Sequence, residues 1–201
     1  MRDVRQPCVV VVTPMRRLLA ASVMLVAGMA MAARMATTSA AQPPAPSQLD
    51  VQAVYLFDFA KFVRWPEGAE HGTLTICVAG QKAYADSLTR LVKGEQIDSR
   101  PLAVRVVQTA ADVTGCDILF VGISAKEQEA AMLAATAGKP VLTVSDIPGF
   151  LDSGGMIQFV VIDQRVRFSV DLRSTMHSGI GLSSELLKVA VKVNGASGGT
   201  P

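Results

Sequence analysis

The chain has 201 residues, 50% hydrophobic and 18% charged, with 3 cysteines and a formal net charge of +2. Five of the 19 Lys and Arg and one of the 17 Asp and Glu precede residue 42, so the remainder carries 14 bases against 16 acids. That remainder suffices for one domain with a sizeable core, and its slightly acidic balance gives no support to nucleic-acid binding.

In chain order, Arg16 and Arg17 precede the uncharged run LLAASVMLVAGMAMAA at 18–33, and small residues follow at Ser39, Ala40 and Ala41. A basic n-region, a short apolar region and a small-residue cleavage site predict a secretory signal peptide over 1–41 and an exported, oxidising destination. Cleavage after Ala33 is the alternative, and Met15 is an alternative start. A retained membrane anchor is the competing reading, but the run is shorter than the ~20 residues that span a bilayer comfortably.

Residues 42–47 form a Pro-rich arm. The segment 48–65 has no internal Gly or Pro and stops at Pro66. It predicts one helix of about 16 residues, capped by Ser47 or Asp50 and apolar around most of its circumference. Strands are expected at 74–79, 102–107, 117–122 and 140–145, with helices at 82–93 and 125–137 and one short turn in 109–115. Runs of Val, Ile and Leu without strict alternation fit parallel strands covered on both faces. The pieces 156–162 and 165–172 do alternate, and the two residues Asp163 and Gln164 between them predict an antiparallel hairpin. A final helix is expected over 183–193 and a disordered tail over 194–201. The fold class expected is therefore α/β, a single domain over 48–193. Its sheet is mostly parallel and flanked by helices, with a C-terminal antiparallel hairpin.

Groups able to do chemistry are sparse. Of the two histidines, His71 and His177, neither has a second ligand at metal spacing, so no metal site is expected. Neither a G-x-S-x-G elbow nor a phosphate-binding GK[ST] motif occurs. The stretch VLTVSDIPGFLDSGGMIQF, residues 141–159, ends an apolar run at Ser145-Asp146, where open α/β sheets bind ligands. With no base beside it, that loop reads as a structural corner, its Gly154-Gly155 pair entering the hairpin through positive φ. Ser145, Asp146 and Phe150 are the candidate contacts if a small solute binds instead.

Cys77 and Cys116 remain as an even pair once Cys8 leaves with the leader. Their strands can be neighbours in a βαβαβ sheet, so a structural disulfide is expected. A redox switch is the alternative, but the sequence offers neither C-x-x-C nor a basic neighbour. Tyr55, Phe57, Phe59, Phe62 and Trp65 concentrate half of the aromatics in eleven residues. One helix face against one sheet cannot bury side chains that point in every direction. Tyr55, Phe59, Phe62 and Trp65 are accordingly candidate contacts for a partner or a second subunit.

The ordered set VYLFDFAKFVRWP (54–66), LTICVAG (74–80), DILFVG (117–122), VLTVSD (141–146), GGMIQF (154–159), RVRFSVDL (165–172) and GIGLSSELLKVA (179–190) resembles the YfiR-like family. The resemblance spans about residues 51–190. It implies a periplasmic, non-enzymatic regulator without cofactors. The member that names the family binds the periplasmic sensory domain of an inner-membrane diguanylate cyclase and holds it inactive. Cyclic di-GMP output, exopolysaccharide and biofilm formation are thereby repressed. A homodimer and a disulfide matching Cys77 and Cys116 are also implied. The further cysteine pair that some members carry near the hairpin is missing from this sequence.

Overall fold

A computed structural model describes residues 47–68 and 72–195. The signal peptide expected over 1–41, most of the Pro-rich arm, His71 and residues 196–201 lie outside the described residues. The first helix, α1 (Gln48–Phe62), opens at a capping box. The Ser47 hydroxyl accepts the Asp50 N–H, and the Asp50 carboxylate accepts the Ser47 N–H. The helix is shorter than the sequence suggests: the chain becomes extended at Val63, and β1 (Val63–Arg64) pairs antiparallel with β9 (Gly181–Leu182).

The main sheet starts with β2 (Leu74–Ala79), followed by α2 (Lys82–Leu91), the short β3 (Gln96–Ile97) and β4 (Arg100–Val107). After a 3₁₀ turn at Ala110–Val113 come β5 (Ile118–Val121), α3 (Glu129–Thr136) and β6 (Leu142–Ser145). The hairpin β7 (Ile157–Ile162) and β8 (Arg165–Asp171) follows, then α4 (Leu172–His177), α5 (Ser184–Val189) and β10 (Lys192–Asn194). Strand order in the eight-stranded sheet is β10-β8-β7-β6-β5-β2-β4-β3, antiparallel only at β7–β8 and β3–β4. Asp163 and Gln164 both take positive φ (49° and 59°), which matches the right-handed twist of the two-residue hairpin.

Three expectations need correction. The helix expected over 125–137 begins as a 3₁₀ turn, Ile123–Gln128, with a break at Ala125, before α3 proper. The final helix stops at Val189 rather than 193, and 192–194 become a strand beside β8. The outer edge of β8 offers unpaired backbone groups, and the Val191 N–H donates to the Phe168 carbonyl at 2.9 Å. Pairing there outweighs the weak helix preference of the Val-rich segment. Residue 194 consequently belongs to the sheet, opposite Asp171, and not to a loose tail. The short helix α4 was not legible at all. Asp171 caps it by accepting the Ser174 N–H at 3.0 Å.

Strict alternation divides the core in two. Ile76, Val78, Ile118, Phe120, Leu142 and Val144 face α1 and α2, whereas Cys77, Ala79, Leu119 and Val121 meet Met132, Ile147 and Phe150 on the opposite face. At the amino ends of the strands, Arg100 and Asp117 form a nearly buried ion pair at 2.7 Å, and the second Asp117 oxygen accepts the Thr75 N–H at 2.7 Å. The pair ties β4 to β5 across β2. Beside it, Cys77 and Cys116 form a disulfide that closes a separation of 39 residues. Replacing Cys77 by Ala should lower stability by about 4 kcal/mol on the loop-entropy scale. Denaturant unfolding of the oxidised variant should then coincide with that of the reduced wild type. Equal stability of oxidised wild type and variant would show that the bridge contributes nothing.

Candidate partner surface

The aromatic residues of α1 divide according to where the helix meets the sheet. Helical spacing sets Gln52, Ala53, Leu56, Phe59 and Ala60 on the inner side, and all five are buried. The Phe59 ring lies 4.9 Å from Phe168, edge-on, and 5.7 Å from Phe159, stacked. Tyr55 stands at the border, its ring 5.7 Å from Phe168 and 6.1 Å from both Phe59 and Phe159. The outer side carries Val54 and Phe62, 46% and 36% exposed. Between them Lys61 bonds Asp58 at 2.9 Å and lies 3.9 Å from the centre of the half-buried Phe57 ring. Trp65 follows the helix and is half-buried beneath Arg100, whose guanidinium carbon is 5.8 Å from the ring centre.

Of the four aromatic candidates, then, Phe62 faces outward, Tyr55 and Trp65 are partly covered, and Phe59 is a core residue. Phe59 cannot touch a partner in this conformation, because its ring fills the space between α1 and the β7–β8 hairpin. Sequence reasoning missed the exposed apolar residues at the end of that hairpin. Val51 and Tyr55 share a depression of about 360 Å³ with Val161, Arg165 and Arg167. Val161 and Ile162 are 54% and 45% exposed. The signal was present: alternation fails at Val160-Val161-Ile162, leaving apolar side chains on both faces of the strand.

The corner at 141–159 is occupied by its own hydrogen bonds. The buried Ser145 hydroxyl donates to the Val121 carbonyl at 2.6 Å and accepts the Ile147 N–H at 2.9 Å. Asp146 accepts the Ile123 N–H at 2.7 Å, which joins this loop to the one after β5. Phe150 is entirely buried, and a Cβ on Gly155 would overlap its ring. The expectation that Ser145 and Phe150 contact a solute therefore fails, because both are enclosed by the chain that makes the corner. Gly154 has the positive φ expected (95°), but Gly155 is required by close packing instead. The disulfide forms as expected, but its surroundings differ from the sequence reading. Arg105, on the strand beside β2, places its guanidinium 3.4 Å from Cys77 Sγ and 3.2 Å from Cys116 Sγ. A basic neighbour exists after all, supplied by strand pairing.

Two measurements check this geometry. Phe59→Ala should cost about 3–5 kcal/mol and Phe62→Ala below about 1 kcal/mol in chemical denaturation, since only the first opens a core cavity. Burial raises the Asp146 carboxyl above its ordinary value of 3.8, against the opposing effect of the Ile123 N–H. The folded state thus holds this proton more tightly than the unfolded state. The contribution of this group to stability is full below the ordinary value and is lost as pH rises through the raised one. In Asp146→Asn that part of the decline should vanish; an unchanged pH profile would assign the decline to other groups.

Comparison with known proteins places residues 49–191 within a family described as YfiR/HmsC-like. Among solved structures, a conserved domain protein from Vibrio cholerae O1 biovar El Tor is similar at 12% identity and a TM-score of 0.48, covering 74% of this chain. The chain spans 60% of that protein's length. The ABC domain in complex with L-Trp from Streptococcus pneumoniae aligns at 12% identity and a TM-score of 0.44, over 60% of this chain and 55% of the other.

Proposed function

This chain belongs to the YfiR/HmsC-like family, and we propose that it is a periplasmic, non-catalytic repressor of an inner-membrane signalling protein. The partner we assign is the periplasmic domain of a diguanylate cyclase, so that binding lowers cyclic di-GMP output and biofilm formation. The protein acts as a homodimer without cofactors and reaches the periplasm by the leader over 1–41. Family membership is the observation that carries this reading. The outward side of α1 is its physical complement. Val54 and Phe62 lie outside both core clusters and stay partly exposed on either side of the Asp58–Lys61 pair, and Val161 and Ile162 of the hairpin are exposed as well. Apolar side chains left outside the core are suited to a protein partner, with aromatic residues as the usual anchors.

Removing the gene from its host should raise cellular cyclic di-GMP, and the wild-type gene should restore it. A Val54→Asp/Phe62→Asp variant should stay folded, losing no more than about 2 kcal/mol, yet fail to restore repression, because both positions lie outside the core clusters. Unchanged cyclic di-GMP on deletion would remove the proposed partner. Full repression by the folded double variant would remove these residues as the contact. Light scattering of the same variant separates the two uses of these residues. Loss of the dimer mass assigns them to the subunit contact, and a retained dimer assigns them to the membrane partner.

A further inference from the structure

We propose that the free end of the β7–β8 hairpin binds an anionic phospholipid surface, with Val160 and Ile162 against the acyl chains and Arg165 and Arg167 on the phosphates. The contact rests on the function proposed above for its setting, since it would hold the repressor beside a membrane-bound partner.

The hairpin outruns the sheet that it closes. β6 pairs only with Ile157 and Gln158, and β10 only with Ser169, Val170 and Asp171. Residues 160–167 therefore run on as a ribbon of two strands, with no third strand paired to them among the described residues. Side chains alternate between the faces of a strand, and one face of the ribbon belongs to the core. There Phe159, Val166 and Phe168 join the cluster beneath α1. Val160, Ile162, Arg165 and Arg167 alternate to the other face, and neither core cluster includes Val160 or Ile162.

Register sorts that face by chemistry. Ile162 stands opposite Arg165 and Val160 opposite Arg167, so an apolar column on β7 lies alongside a basic column on β8. Ile162 is 45% exposed, Arg165 is exposed, and Val160 and Arg167 are half-buried. Neither arginine enters an ion pair among the described residues, and Asp163 is the only acid between 160 and 167. The open edge of β8 that carries them also borders the depression beside Val51 and Tyr55.

An anionic bilayer presents both counterparts in one layer. Exposed apolar side chains enter its interface, while arginine stems lie along the apolar surface and keep their guanidiniums among the phosphates. A second copy stacked on this face would set the arginines against their own counterparts, and that repulsion disfavours it as the occupant.

Co-sedimentation of the protein purified from the periplasm tests this, using vesicles of phosphatidylcholine with and without phosphatidylglycerol. Binding should require phosphatidylglycerol and weaken as salt rises from about 0.1 to 1 M. Arg165→Glu/Arg167→Glu should weaken it at least about tenfold, and Ile162→Ser should weaken it at unchanged charge. Circular dichroism checks that each variant is folded. No binding to the anionic vesicles, equal binding to the neutral ones, or binding that the folded double variant leaves unchanged would overturn the proposal. Loss of repression in the double variant, without vesicle binding by the wild type, would also overturn it and assign the ribbon to an acidic protein surface. The vesicles contain no cyclase, so their result is independent of the cyclic di-GMP measurement.

Discussion

The packing of Phe59 against Phe159 and Phe168 joins the two ends of this fold. One ring comes from the first helix and the other two from the hairpin that closes the sheet. Without the helix, the hairpin would expose its inner face to water, while the helix also packs on α2 and the parallel strands. Burying three large rings in edge-on and stacked contacts supplies both area and orientation. It also fixes the rotation of α1 about its axis, which sends Val54 and Phe62 outward. The candidate partner surface is thus a consequence of the core.

A second constraint operates at the amino ends of the parallel strands. Arg100, Asp117 and the Cys77–Cys116 bridge connect β2, β4 and β5 where loops leave the sheet. Satisfying both Asp117 oxygens is what makes a nearly buried charge tolerable there. The carboxyl ends are held differently. Ser145 and Asp146 stitch the loop after β6 to the end of β5 and the loop that follows it, using only side-chain-to-backbone bonds. A position that would carry chemistry in many α/β enzymes is here committed to shaping a corner.

The exposed apolar residues of α1 and Val161 of the hairpin, interrupted on the helix by the Asp58–Lys61 pair, have the character of a surface that meets another protein. They arise because a sheet covered on both faces leaves more helix surface than its core can bury.

The fold was largely legible because its cause is periodic. Val, Ile and Leu runs gave the parallel strands, alternation around Asp163-Gln164 gave the hairpin, and cysteine position within strands gave the disulfide. The sequence by itself therefore determined which segments form the parallel strands and the hairpin, where the bridge forms and that the first helix carries more apolar surface than one sheet can bury. Only the tertiary structure decided which side of that helix faces out, because rotation about its axis depends on rings more than ninety residues away. It likewise turned the end of the expected last helix into β10, since an open strand edge offers bonds that local propensity does not register. The enclosure of Ser145 and Phe150 and the approach of Arg105 to the sulfurs belong to the same class. Each depends on groups brought close in space and distant in the chain, which no local pattern encodes.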